Sequence, residues 1–209
     1  MRSIVLLVLA GVGVGCVAPH RYAALEALYD GVVEDRDRVA SERDAVQSEV
    51  AAHADRAEAH AARVSAARAV LVAAADGRGV VQDRSAGPAL VLSADGLFQP
   101  RTAELSEEGR QVVAGLANAL AAHADGRFRI AGHTDATPLD SREFPSNWHL
   151  GADRAIRIAT ALVVDGLPAE RVFVASFGEH NPAASNAEDA GMAANRRVVI
   201  TALLSEPPR

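Results

Sequence analysis

The chain has 209 residues and a net charge of −6, with 27 acidic against 21 basic side chains. That length holds one medium domain plus appendages, and an acidic chain without a basic stripe is a poor nucleic-acid binder, since such binding rests on cationic surfaces. Only 4% of residues are aromatic and alanine is over-used, so apolar character comes from small side chains that suit a long helix better than a thick core.

The chain opens with Met1-Arg2, an apolar run from Ile4 to Val14, then Gly15 and Cys16. A charged start, an apolar stretch and small residues at a cut describe a secretory signal peptide, and the run is shorter than the ~20 residues that span a bilayer. A small residue directly before Cys16 resembles the lipobox of bacterial lipoproteins, with one departure: Gly13 stands where leucine is usual. The resemblance implies that residues 1–16 form the signal region, with Cys16 lipidated. Ordinary cleavage near Ala18 and an uncleaved anchor are the alternatives. Val17 follows Cys16 in place of the aspartate that retains such proteins in the inner membrane, which favours the outer membrane.

Residues 17–75 read as a helical stalk. From Tyr22 to Ala75 there is no proline, and no glycine follows Gly31. Leu25, Val32, Val39 and Val46 recur every seven residues, as do Val50, Ala57, Val64 and Leu71, and the four-residue step between the sets is a coiled-coil stutter. Asp35, Glu42, Glu49, His53 and His60 occupy the partner positions, so the seam predicts weak pairing and a homo-oligomer through the stalk rather than a strong zipper. Fully helical, Val32 to Ala75 would reach about 66 Å. A helix folded back on the domain is the alternative.

Asp76-Gly77-Arg78-Gly79 ends the helix, and residues 76–88 read as a linker broken again at Gly87-Pro88. Val80-Val81 and Ala89 to Leu92 read as short strands, and Ala94-Asp95-Gly96 as a turn. Ser106 is a candidate N-cap, with Glu107 and Glu108 suited to a helix start, and Val112, Val113, Leu116 and Leu120 follow at helical period. Phe128 to Ala131 is a strand, about Asn147 to Val164 a second helix, and Arg171 to Phe177 and Arg197 to Leu204 are strands before a polar tail, 205–209. This β-α-β-α-β-β order implies an α+β sandwich, with helices on one face of a mixed sheet, over residues 89–204.

Chemistry concentrates where the 128–131 strand runs into Gly132-His133-Thr134-Asp135 and a loop carrying Thr137, Pro138 and Asp140. Asn147 and Arg154 stand seven residues apart, two helical turns, and share one face. A carboxylate and a guanidinium held close on rigid elements are either an ion pair or a receptor for a group bearing both charges. His133 has too few companions for a metal shell and packs or hydrogen-bonds beneath the site. Trp148 either stacks on a sugar or anchors the loop in the core, Arg197 pairs with a strand neighbour, and Glu179 and His180 are solvated. No nucleophile elbow or triad is present. Asp135 and Asp140 are the one carboxylate pair an enzyme reading could draw on.

The segment FRIAGHTDATPLDSREFPSNWHLGADRA, Phe128 to Ala155, resembles the peptidoglycan-binding domain shared by OmpA, Pal and MotB, and FGEHNPAASNAEDAGMAANRRVVI, Phe177 to Ile200, resembles its closing motif. The longer loop and Phe-Pro-Ser-Asn-Trp are similar to the MotB-type variant. The resemblance implies an OmpA-like fold and a non-enzymatic, cofactor-free binder of peptidoglycan whose ligand is the diaminopimelate of the stem peptide. It assigns the ammonium to Asp135 and the carboxylate to Arg154 as a bidentate fork. Asn147, Thr134 and Thr137 add hydrogen bonds, and Asn195 and Arg196 either touch ligand or brace the loop. With lipid at Cys16, the expected whole is an anchor on the periplasmic face of the outer membrane. A MotB-like stator subunit is the alternative, which needs a membrane-spanning aspartate that positions 4–18 lack.

Overall fold

The computed structural model describes residues 19–123, 126–139 and 142–204. Cys16, the signal region and Asp140 lie outside them. Contacts divide the chain within its first helix, between Asp55 and Arg56.

Helix α1 runs Pro19–Ala75. Over the N-terminal unit, Leu25, Val32, Val39, Val46 and Val50 are exposed. The acidic side chains that spoil the seam are held along the helix surface, where Arg38 bridges Asp35 at 3.0 Å and Glu42 at 3.1 Å. Past Asp55 the same helix behaves differently. Ala67, Leu71, Ala74 and Ala75 are buried in the main core, with Val70 packed against it. The stalk boundary at residue 75 is therefore corrected: spacings of three and four residues turn one stripe of the last turns into the domain.

The stretch 76–88 is corrected likewise. Rather than a linker with a short strand at Val80-Val81, it is part of the sheet: it supplies β1 (Val80–Arg84) and the turn into β2 (Gly87–Ser93), an antiparallel hairpin with Val80 opposite Val91 and Arg84 opposite Gly87. The short helix α2 (Ala94–Leu97) follows, then α3 (Glu107–Ala121), whose N-cap Ser106 accepts from the Gly109 N–H at 2.8 Å. Next come β3 (Arg127–His133), α4 (Asn147–Val164), a 3₁₀ turn at Ala169–Arg171, β4 (Val172–Gly178), α5 (Asp189–Asn195) and β5 (Arg197–Leu203). The strand order is β1-β2-β5-β3-β4. Only β3 and β4 run parallel, joined through α4, so the sheet is mixed.

Strand alternation divides the residues between two faces. Leu90, Leu92, Phe128, Ile130, Val198, Ile200 and Ala202 join residues of α1, α3 and α4 in the main core. Ala89, Ala131 and Val199 form a small cluster on the other face, with Val91, Ala175 and Phe177. The α+β sandwich with helices on one face of a mixed sheet is thus the observed architecture.

One contact sets the geometry of the site. A Cβ on Gly132 would lie 1.9 Å from the Gly151 carbonyl oxygen, so β3 and α4 approach backbone to backbone and only glycine fits. Ser176 on β4 donates to the Trp148 carbonyl at 2.9 Å and fixes the first turn of α4 from the other side. The end of β3 and the start of α4, which carry Asp135 and Asn147, are thereby held together.

Candidate functional site

A cleft of about 410 Å³ opens at this junction, within the size range of small-ligand pockets. Its lining includes Asp95, Phe98, Arg101, Thr134, Asp135, Thr137, Asn147, Arg154 and Arg196. Of the seven residues that the resemblance places at the ligand site, six share one cavity; Asn195 does not line it.

Asp135 is 8% exposed. Its Oδ1 accepts the Thr137 N–H at 3.0 Å, and its Oδ2 accepts from Arg196 Nη1 at 2.8 Å. Burial alone would raise this carboxyl, but the bonds from Arg196 and Thr137 outweigh it and hold it below the usual carboxylate range. Arg154 is 6% exposed. Its Nε donates to the Thr102 carbonyl at 2.9 Å, and its guanidinium lies 5.1 Å from the Phe98 ring centroid. Burial lowers its pKa against the opposing fields of Asp95 and Asp135, yet an arginine stays charged. Among the described residues no carboxylate comes within ion-pair distance of it. A buried guanidinium with one N–H used by a carbonyl presents its fork to the cleft.

Asn147 gives its amide N–H groups to the Thr137 carbonyl at 3.2 Å and Glu179 Oε2 at 2.7 Å. Glu179 is thus no solvated bystander: it positions Asn147. The Thr134 hydroxyl donates to the Asp135 carbonyl at 2.9 Å, and its N–H to the Gly178 carbonyl at 3.0 Å. The Thr137 hydroxyl donates to Met192 Sδ at 4.0 Å, and the residue lines the cleft.

The two residues of the closing motif part company. Asn195 is 0% exposed and spends its amide on the 183–186 loop. It accepts from the Ala183 and Ala184 N–H groups at 2.7 and 3.0 Å and donates to the Ala184 carbonyl and Asn186 Oδ1, each at 2.9 Å. Of the two roles open to it, Asn195 takes that of loop brace. It supports the site at one remove, because Asn186 Oδ1 also accepts the Ala136 N–H at 3.2 Å. Arg196 lines the cleft and bridges two carboxylates, donating through Nε and Nη2 to Asp95 at 2.8 and 2.7 Å and through Nη1 to Asp135. Those carboxylates raise its pKa, and Arg196 in turn, chiefly through its hydrogen bonds, holds Asp95 below the usual carboxylate range.

Asp95, Phe98 and the Thr102 carbonyl escaped the sequence reading. They lie in a stretch read as turn and loop, where only the 3.6-residue spacing of a longer helix would have marked a face. Of the two alternatives for Trp148, anchoring the loop in the core is not what the structure shows. Trp148 is 46% exposed, tilted against His180 at 5.5 Å, while Phe144 and Leu150 bury with Ala103 and hold the loop in its place.

Beneath the site, His133 is buried and stacked on Phe177 at 5.0 Å. Its cross-strand partner Arg197 reaches Nδ1 through Nη2 at 3.1 Å. A guanidinium only donates, so Nδ1 is the unprotonated nitrogen. Burial first, then Arg197, lowers the His133 pKa to about 4, against about 6.5 in an unfolded chain. The unfolded chain therefore takes the proton first, and stability falls as pH drops from about 6.5 towards 4. Urea denaturation is expected to give about 2 kcal/mol less stability at pH 5 than at pH 7 from this group, and His133→Gln should flatten that slope. An unchanged slope in the variant would remove His133 as its source.

Residues 97–196 match the OmpA family. Motility protein B of Bacillus subtilis (strain 168) is 34% identical over 107 residues, covering 51% of this chain and 41% of that protein. Peptidoglycan-binding protein ArfA of Mycobacterium tuberculosis (strain H37Rv) is 39% identical over 85 residues, 41% of this chain and 25% of that protein. The chain thus spans less than half the length of either relative. Among solved structures, the cell wall anchor of the T6SS from Pseudomonas aeruginosa aligns with a TM-score of 0.57 and 30% identity, over 62% of this chain and 90% of that one. With the strand order, the cleft at the end of β3 and this match in place, residues 97–196 form an OmpA family domain.

Proposed function

We propose that this protein is a non-catalytic anchor that grips the diaminopimelate end of a peptidoglycan stem peptide in the cleft. The observation that carries this is Arg154: nine-tenths buried, without an ion-pair partner among the described residues, and sharing a cleft with the ionised Asp135. Leaving a guanidinium in that state is costly unless a ligand completes it. A free carboxylate forked on Arg154 and an ammonium on Asp135 satisfy both groups at once. The Asn147 Oδ1, with both its N–H groups engaged elsewhere, turns an acceptor to the same ammonium, and Thr134 and Thr137 add hydroxyls at the wall.

In this reading lipid on Cys16 holds the chain to the periplasmic face of the outer membrane, and the exposed heptad residues of α1 pair with a second copy. The supports are the small-residue-cysteine junction and the heptad spacing of Leu25, Val32, Val39 and Val46. The likeness to Motility protein B favours a second reading, a stator subunit. No helix among the described residues is long and apolar enough to cross a membrane. Metabolic labelling with a palmitate analogue separates the two, since a stator subunit keeps its N-terminus uncleaved and takes no label at Cys16.

The direct test of the cleft is co-sedimentation with two purified walls, one with diaminopimelate and one with lysine in the stem peptide. Lysine offers the ammonium without the neighbouring carboxylate. Pelleting with the first and not the second is expected; equal pelleting, or none with either, overturns the reading.

A further inference from the structure

The cleft holds more charge than a zwitterion requires. Two carboxylates, Asp95 and Asp135, lie with two guanidiniums, Arg154 and Arg196, while Arg101 at the rim has no ion-pair partner among the described residues and is screened by water. The four groups are not paired evenly. Arg196 lays its Nε–Nη2 fork on Asp95 at 2.8 and 2.7 Å and touches Asp135 with the single remaining Nη1 at 2.8 Å. A bidentate pair is the stronger of the two arrangements. Arg196 thus spends its fork on Asp95 and a single N–H on Asp135, which leaves Asp135 only partly neutralised opposite Arg154, the guanidinium without a carboxylate partner among the described residues. That remainder is the mirror image of an amino acid's two charges.

Without Asp95, the arithmetic changes. Arg196 would turn its fork to Asp135, cancel that charge, and leave Arg154 as the net field. Such a cleft favours a plain carboxylate over a group that also carries an ammonium. We propose that Asp95 is the specificity-determining residue of this cleft, which by engaging the Arg196 fork limits Arg196 to one bond with Asp135, leaves that carboxylate with charge to offer an ammonium, and so selects zwitterionic ends over simple carboxylates. The proposal rests on the diaminopimelate reading above and extends it to a residue outside the motifs of β3 and α4. Asp95 acts through Arg196 and is a positioning residue. It belongs to α2, a helix of four residues, and is half exposed, so its substitution spares the core.

The test compares two ligands that differ only in their amines: meso-diaminopimelate and pimelate, the same seven-carbon diacid without nitrogen. Each is titrated by calorimetry into the full chain, as wild type, Asp95→Asn and Asp95→Glu. Wild type is expected to prefer diaminopimelate. Asp95→Asn should lower that preference by about tenfold or more, the effect of losing one charge-assisted partner, with pimelate held as well as before or better. Asp95→Glu, which keeps the charge, should restore most of the preference. If Asp95→Asn weakens both ligands equally, or neither, Asp95 sets no specificity and the proposal falls while the diaminopimelate reading stands. If wild type binds pimelate as tightly as diaminopimelate, the diaminopimelate reading falls and takes the proposal with it.

Discussion

Leu71→Ala is expected to destabilise the domain by about 3 kcal/mol, while Val39→Ala on the same helix stays within about 0.5 kcal/mol. Leu71 is 0% exposed and sits in one core with Leu90, Leu92 and Leu116; Val39 is 55% exposed. Both stand at heptad positions and look alike in sequence. The difference is that the last turns of α1 close the core over the helix layer, whereas Val39 meets only solvent. Cutting the chain at residue 76 goes further, because it removes Ala67, Leu71, Ala74 and Ala75 together. A fragment 76–209 is expected to be poorly folded, and a fragment 56–209 to unfold cooperatively. Differential scanning calorimetry of the two fragments and both point variants checks this, with a fall in Tm of roughly 6–12 °C for Leu71→Ala. Equal, small effects at Leu71 and Val39 would show that the helix end contributes nothing to the domain.

Arg154→Lys is expected to weaken binding of diaminopimelate-type wall by on the order of 2–3 kcal/mol, a factor of roughly 30–150 in Kd. The charge survives the change, but three features do not. The planar fork is lost, the Nε bond to the Thr102 carbonyl is lost, and the flat stack over Phe98 becomes a point contact. Asp135→Asn should match it, because the amide offers no charge to an ammonium and one of its faces would oppose Arg196. Binding isotherms on purified wall, with circular dichroism to confirm folding, decide the matter. Near-normal binding by Arg154→Lys would mean that the cleft reads charge alone and that the fork geometry is incidental.

Local sequence determined much of this molecule. The absence of proline and glycine makes a long α1, and Gly77, at φ +76°, ends it. Periodicity places α3 and α4, and Phe128 to Ala131 and Arg197 to Leu204 mark two of the three interior strands because buried strands must be apolar. The run from Thr134 to Arg154 carries most of the site in one segment, so its residues are legible without a fold. Tertiary structure decided the remainder. Val80-Val81 mark β1 in the sequence, but its polar, exposed half from Gln82 to Arg84 joins the strand only because β2 offers it a ladder. Whether a heptad valine or leucine on α1 faces solvent or core depends on where the domain packs, which the repeat does not encode. Asn195 and Arg196 are neighbours in one motif, yet they point to opposite tasks because α5 ends between them and β5 begins. Asp95 comes last in this list: about a hundred residues from Arg196 and forty from Asp135 along the chain, it meets them only when β2 lies against β5 and β5 against β3.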